Sequence, residues 1–220
     1  MSNIFSSSIG KKLIMSISGL FLIVFLLLHL SINLVAIISK EAYAVACEFM
    51  DTNIFIQIMV PVLALGFAIH IIYAIIITLK NQKARPVKYA ITSTAKASTW
   101  ASRNMFVLGI IVLGFLGLHL AHFWYKMQFQ HLVMGKEIAP ETGHILISAL
   151  FKQPLYAILY IVWIWALWFH LCHGFWSAFQ TIGVNNQKWI TRWQCIAKIY
   201  ATVVAVGFTI IPLYFLSGLA

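Results

Sequence analysis

Residues 13–39 read LIMSISGLFLIVFLLLHLSINLVAIIS, an apolar run that contains no Asp, Glu, Lys or Arg. A helix of about 20 residues crosses the hydrocarbon core of a bilayer, so this run is long enough to span one. It is too long for the apolar part of a secretory signal peptide, which covers about 7 to 15 residues. The stretch therefore predicts a retained membrane-spanning helix.

Four further apolar runs of similar length follow the first. They predict helices over residues 54–79, 104–125, 154–182 and 196–216. The runs are continuously apolar rather than alternating, which favours helices over the strands of a barrel. Pro154 suits the first turn of a helix, whereas Pro61 and Pro212 fall inside spans and predict kinks. We expect residues 1–220 to form a single all-α membrane domain, a bundle of five transmembrane helices.

The composition excludes several classes of protein. Of the 220 residues, 62% are hydrophobic and only 9% are charged, whereas a soluble domain carries about 25% charged residues. A soluble enzyme and a nucleic-acid-binding domain are both poor fits, despite a pI near 9.7. Cys47, Cys172 and Cys195 lie too far apart in sequence to form a C-x-x-C motif. Thiolate metal sites and covalently attached haem are therefore not expected.

The distribution of charge predicts the orientation. One side of the bundle receives eleven basic residues and no acid: Lys11, Lys12, Lys80, Lys83, Arg85, Lys88, Lys96, Arg103, Lys188, Arg192 and Lys198. The other side receives four lysines and all five acids: Lys40, Lys126, Lys136, Lys152, Glu41, Glu48, Asp51, Glu137 and Glu141. Cytoplasmic loops are enriched in Lys and Arg, so we expect the N-terminus to be cytoplasmic.

Six of the eight histidines fall within the predicted spans, and only His131 and His144 fall in a loop. An ionisable side chain at membrane depth is costly and is expected to face the bundle interior and to have a partner. No Asp, Glu, Lys or Arg lies deep in any span, which weakens a proton-relay interpretation. A metal can satisfy a neutral imidazole instead, and a haem with two histidine ligands suits an apolar bundle.

Depth in the membrane groups four of these histidines into two levels. His29 and His119 lie 17 and 16 residues after the last basic residue of the cytoplasmic side, about 25 Å into the membrane. His70 and His170 lie 19 and 18 residues after a charged residue of the opposite side, about 27 Å from that side. We therefore expect His29 to face His119 and His70 to face His170, each pair on one haem iron.

Two more histidines remain alternates. His122 and His173 each lie three residues, or about one turn, beyond the preferred histidine of the same helix. Their depths in the membrane match those of the facing helices less well. A role in hydrogen-bonded packing, or at the interface of membrane and water, is favoured for both. The uncertainty of helix boundaries leaves them open as ligands.

Three motifs resemble those of a known family. Ser18-Gly19-Leu20-Phe21 precedes His29, GIIVLGFLGLH runs from Gly109 to His119, and FHLCHGFWS runs from Phe169 to Ser177. In order and depth they resemble the di-haem cytochrome b membrane anchor subunit of succinate dehydrogenases and fumarate reductases, the succinate:quinone oxidoreductases. The resemblance covers nearly the whole chain.

The resemblance implies two haem b groups with His29, His70, His119 and His170 as the axial ligands of the iron. Family members place a glycine ten residues before the ligand of the third helix, which favours His119, and a glycine four residues after that of the fourth, which favours His170. One departure is that His122 stands next to Phe-Trp, a context found around the ligand in some relatives. His119 against His122 therefore stays the least determined assignment.

The resemblance also implies partners and a location. A flavoprotein subunit oxidises succinate, an iron–sulfur subunit passes the electrons to this chain, and the haems reduce a membrane quinone, with menaquinone as the first expectation. The location implied is the bacterial inner (cytoplasmic) membrane, and the direction of turnover is open. The quinone site is not determined; its candidates are Lys12, Ser16 and Ser18 on the cytoplasmic side and Glu48 and Asp51 on the other.

Two other functions compete with this one. A cytochrome b subunit of a hydrogenase or formate dehydrogenase would also use histidine-ligated haems in the membrane. A non-redox membrane transporter would use the histidines directly, but it would be expected to have polar faces and broken helices near the midplane. The spans here are too uniformly apolar to favour it.

Overall fold

The computed structural model describes residues 7–84, 99–184 and 186–219; these residues are mostly helical, with no strand among them, and residues 133–141 form an irregular connection. In chain order the helices are α1 (Ser8–Ile38), α2 (Lys40–Thr52), α3 (Ile54–Lys83), α4 (Trp100–Arg103), α5 (Met105–His119), α6 (Gln130–Leu132), α7 (Thr142–Phe151), α8 (Pro154–Thr181) and α9 (Gln187–Leu216). Residues Leu120–Phe129 form a π-helical segment, which joins α5 to α6 without a break.

Five helices are long and apolar enough to cross a membrane, as the sequence predicts: α1, α3, the continuous Met105–Leu132 helix, α8 and α9. The third extends seven residues beyond its predicted end. Helix α9 begins nine residues earlier than expected because the Asn186 side chain caps it, accepting hydrogen bonds from the backbone N–H groups of Lys188 (3.0 Å) and Trp189 (2.9 Å). His131 and His144, expected in a loop, lie in α6 and α7.

Two polar residues divide the first 80 residues into helices. Ser39 ends α1 and caps α2, because its hydroxyl accepts a hydrogen bond from the Ala42 N–H. Asn53 ends α2 and caps α3 through the Phe55 N–H at 3.0 Å. Short polar side chains at such positions satisfy the free N–H groups of a new helix. The short helix α2, which the hydropathy pattern does not predict, thereby connects α1 to α3 in a helical hairpin.

The tightest packing joins α8, α9 and α1. The Phe179 and Trp193 rings stack at 3.9 Å between centroids, where α8 and α9 lie antiparallel. The Tyr200 hydroxyl of α9 donates a 2.6 Å hydrogen bond to the carbonyl of Ile23 in α1. Helix α1 also packs against α3, and α5 packs against α8. The buried aromatic, aliphatic and cysteine side chains of α1, α2, α7, α8 and α9 form a further core at the end of the bundle where α2 lies.

The two ends of the bundle differ in charge. Lys11, near the start of α1, lies beside Lys80, near the end of α3, and Arg103 ends α4. The acids Glu41, Glu48 and Asp51 lie in α2, at the opposite end of α1. This separation follows the predicted one; Arg85, Lys88 and Lys96 of the predicted basic loop lie outside the described residues. We call the two ends the basic end and the acidic end.

We predict that Gly207→Ala destabilises the bundle. A Cβ at Gly207 would lie 2.9 Å from both terminal carbons of Leu30, and Leu30 is only 4% exposed, so it cannot move aside freely. Overpacking of this kind costs about 1–3 kcal/mol. The thermal unfolding midpoint in detergent should fall, whereas Gly109→Ala should leave it unchanged or higher, because no described atom lies within 4 Å of that Cβ position. Equal midpoints in the two variants would contradict close α1–α9 packing.

Candidate functional site

Four half-buried histidines from four helices meet in two pairs. The ring centroids of His29 (α1) and His119 (α5) are 5.7 Å apart, and those of His70 (α3) and His170 (α8) are 6.4 Å apart. These are the pairs that the depth comparison predicts. Gly19 contacts the His70 ring and lies ten residues before His29 on α1, so the two levels are separated by about 15 Å.

Each pair faces across a gap between helices. Helix α1 forms packed interfaces with α3, α8 and α9, and α5 forms one with α8. In the described chain, neither α1 with α5 nor α3 with α8 forms such an interface, although these are the helices that carry the facing histidines. The facing imidazoles therefore lie between helices that do not pack directly against each other in the described chain.

Buried ring nitrogens lack partners at both pairs. The Nδ1 atoms of His119 and His170 are buried and have no hydrogen-bond partner among the described residues. A buried polar atom left unsatisfied costs about 1–3 kcal/mol, and such atoms are rare enough in native proteins to need an explanation. A metal bound at Nδ1 would give these atoms a partner, whereas a metal bound at Nε2 would not.

The other member of each pair has a hydrogen-bonding neighbour on α1. The side-chain amide of Asn33 donates to the His29 carbonyl at 2.8 Å and lies 3.3 Å from His29 Nδ1. His70 Nδ1 lies 3.4 Å from the carbonyl oxygen of Met15. Because a carbonyl oxygen only accepts, Nδ1 of His70 is the donor and its Nε2 carries the lone pair.

Aromatic rings surround the outer pair, named for its position nearer the acidic end. Phe25 stacks on His29 at 5.3 Å and Phe208 lies 5.7 Å away, whereas Phe115 and Phe123 contact His119 at 5.8 and 5.2 Å. The inner pair, His70 and His170, lies nearer the basic end. The surroundings of the outer pair are apolar, which suits a flat hydrophobic cofactor and excludes water.

The donor set fits axial ligation of haem better than other metal sites. The described residues contain no group of three or more His, Cys, Asp or Glu that could hold a metal ion, whereas zinc sites use three or four protein ligands. Haem iron needs at most two ligands from the protein. Metal–imidazole bonds of about 2.0 Å would put two rings on one metal about 6 Å apart between centroids, close to the separations of both pairs. The four histidines therefore fit two haems.

The alternates occupy different surroundings. His122 Nδ1 and the Tyr160 hydroxyl form a 3.0 Å hydrogen bond, and Tyr156 lies edge-on to His122 at 5.2 Å between ring centroids. His173 packs against Trp176 at 5.1 Å, with its Nδ1 buried and unpartnered in the described chain. Neither ring faces a histidine of another helix within the described residues. The wider turn of the π segment rotates His122 relative to His119, a feature that no sequence signal indicates.

The candidate quinone residues do not converge on one place. Ser16 and Ser18 are buried in α1, and the Ser18 hydroxyl donates to the Met15 carbonyl at 3.0 Å. At the acidic end, Asp51 Oδ2 lies 3.6 Å from His131 Nδ1. Glu48 borders an open groove of about 410 Å³ between α2 and the segment before α7. Hydrogen bonds from its own backbone N–H and from the Ser39 hydroxyl lower the pKa of Glu41 in the same groove.

We predict an energetic coupling between His122 and Tyr160. Tyr160 is 3% exposed, and Tyr160→Phe would leave His122 Nδ1 without its partner at a cost of about 1–3 kcal/mol. In a double-mutant cycle with His122→Ala, the double variant should lose less stability than the two single losses added together. Thermal unfolding in detergent measures the cycle, and additive losses would show that the hydrogen bond contributes nothing.

Comparison with known proteins gives one result. No family model, curated protein or solved structure matches this chain. The two histidine pairs, the gaps that they span and the charge difference between the ends of the bundle are the features that bear on function.

Proposed function

We propose that this chain is the membrane anchor and electron-transfer subunit of a succinate:quinone oxidoreductase and carries two haem b groups. The observation that carries the proposal is the meeting of four histidines from four spans in two pairs, 5.7 and 6.4 Å apart between ring centroids. The resemblance of the motifs around His29, His119 and His170 directs the proposal to this family.

In this function the protein binds and orients, and the cofactor supplies the redox chemistry. His29 and His119 would hold one haem, and His70 and His170 the other; a bound haem provides reversible one-electron transfer at its iron. The apolar rings of Phe25, Phe115 and other neighbours keep water away. The protein adjusts the potential through ligand identity, hydrogen bonds to the ligands and burial.

The charge difference supports a direction for the electron path. The basic end would face the cytoplasm by the positive-inside rule, where it would contact the iron–sulfur subunit that receives electrons from the flavoprotein subunit. The inner pair would then accept electrons first and the outer pair second, before a membrane quinone, with menaquinone as the expected species. The two pairs lie about 15 Å apart along α1, one nearer each face of the membrane. A bacterial inner membrane is the expected location.

The first test is the haem content. The purified chain, expressed in a host that makes haem, should show a reduced-minus-oxidised b-type spectrum and about two extractable protohaems per polypeptide. A preparation with correct helical content and no protohaem would overturn the proposal. Identification of the co-purifying subunits separates the family from its main competitor, because a covalent-flavin subunit is expected here, whereas a hydrogenase or formate dehydrogenase would bring a nickel or molybdenum enzyme.

The second test assigns the ligands. His70→Ala and His170→Ala should each reduce the haem content from two to about one per chain, and should remove the same spectral component, because both residues belong to one pair. His29→Ala and His119→Ala should remove the other component. His173→Ala is the matched control on α8 and should retain both haems. Loss of a haem in His173→Ala with retention in His170→Ala would reverse the assignment on that helix.

A further inference from the structure

The His70 imidazole is enclosed by helix α1, which does not carry it. A Cβ at Gly19 would lie 3.2 Å from Cε1 and 3.4 Å from Nδ1 of His70. The Met15 carbonyl, one turn earlier on α1, lies 3.4 Å from the same Nδ1. The ring of an α3 residue therefore lies directly against the α1 backbone at a point where no side chain intervenes.

This contact fixes which nitrogen of His70 is available. The Met15 oxygen can only accept, so it selects the tautomer with hydrogen on Nδ1 and leaves the lone pair on Nε2. Histidines that bind metals commonly donate their other N–H to a carbonyl or carboxylate, which orients the ring and raises its basicity. His70 already donates its Nδ1–H to the Met15 carbonyl in the protein alone.

Among the four paired histidines, the arrangement is specific to His70. The neighbour of His29 Nδ1 is the amide of Asn33 on its own helix, and the Nδ1 atoms of His119 and His170 have no partner in the described chain. Only His70 is oriented by the backbone of another helix. The other glycines near the histidines differ as well: no described atom lies within 4 Å of a Cβ at Gly109, Gly114 or Gly117.

We propose that Gly19 and the Met15 carbonyl form a positioning site for His70, so that α1 carries one ligand of the outer haem and orients one ligand of the inner haem. This inference rests on the proposed function. Gly19 provides the space for the imidazole, and the Met15 carbonyl sets its tautomer and its plane. Ser18 modulates the site, because its hydroxyl donates to the same carbonyl at 3.0 Å and competes with His70 for it.

The first experiment is Gly19→Ala in the complete chain, with haem content and low-spin electron paramagnetic resonance as readouts. The added methyl group should displace the His70 ring, so the resonance that disappears in His70→Ala should be lost or shifted, with that of the outer haem unchanged. Gly66→Ala is the matched control in the same α1–α3 interface, because its Cβ would meet the Phe21 ring at 2.8 Å and no histidine. It should lower the unfolding midpoint and retain both resonances.

The second experiment, Ser18→Ala, does not depend on a steric clash. Removal of the competing hydroxyl should strengthen the bond from His70 to Met15, raise the basicity of the imidazole and favour ferric iron. The midpoint potential of the inner haem should become more negative, and that of the outer haem should not change.

The outcomes separate the two levels of inference. Unchanged inner-haem resonance in Gly19→Ala together with an unchanged potential in Ser18→Ala would overturn the positioning site and leave the proposed function standing. Loss of the inner haem in Gly66→Ala as well would also overturn it, because the effect would then belong to helix spacing. A wild-type chain without haem would overturn the proposed function itself, and the inference with it.

Discussion

A neutral imidazole placed in the interior of an apolar helix bundle must find a partner, and this requirement organises the molecule. Water is excluded there, so a polar group without a hydrogen-bond partner destabilises the folded bundle, and helix packing does not offset this cost. The spans supply no deep acid to pair with the histidines. The rings instead face one another across the bundle, 5.7 and 6.4 Å apart between centroids, and the Nδ1 atoms of His119 and His170 have no hydrogen-bond partner in the described chain.

The sequence predicts the five spans and the pairing of the histidines, because both depend on properties of single helices. Apolar length determines the number of spans, and the number of residues between a charged helix end and a histidine determines its depth. Both quantities are read along one helix at a time, so His29 could be matched with His119 and His70 with His170 before any contact was known.

The features that the sequence does not predict depend on single residues and on the rotation of helices, which a hydropathy average does not register. The early start of α9 depends on the single cap at Asn186, and α2 and α7 contain too few apolar residues to register as spans. The π segment changes the direction of His122 without any special residue type. The contact between Gly19 and His70 also could not be predicted, because it joins residues 51 positions apart on two helices whose relative rotation the sequence does not specify.

The packing of α3 has a consequence for the way in which the protein is assembled. In the described chain α3 forms packed interfaces with α1 and α2 and with no other helix, and none of its residues is fully buried. Helix α1 therefore attaches α3 to the rest of the bundle, because α1 also packs against α8 and α9. On the side of the bundle where His70 faces His170, α3 and α8 form no packed interface in the described chain, so a flat apolar molecule that approaches from the lipid would not have to separate these two helices to reach His70.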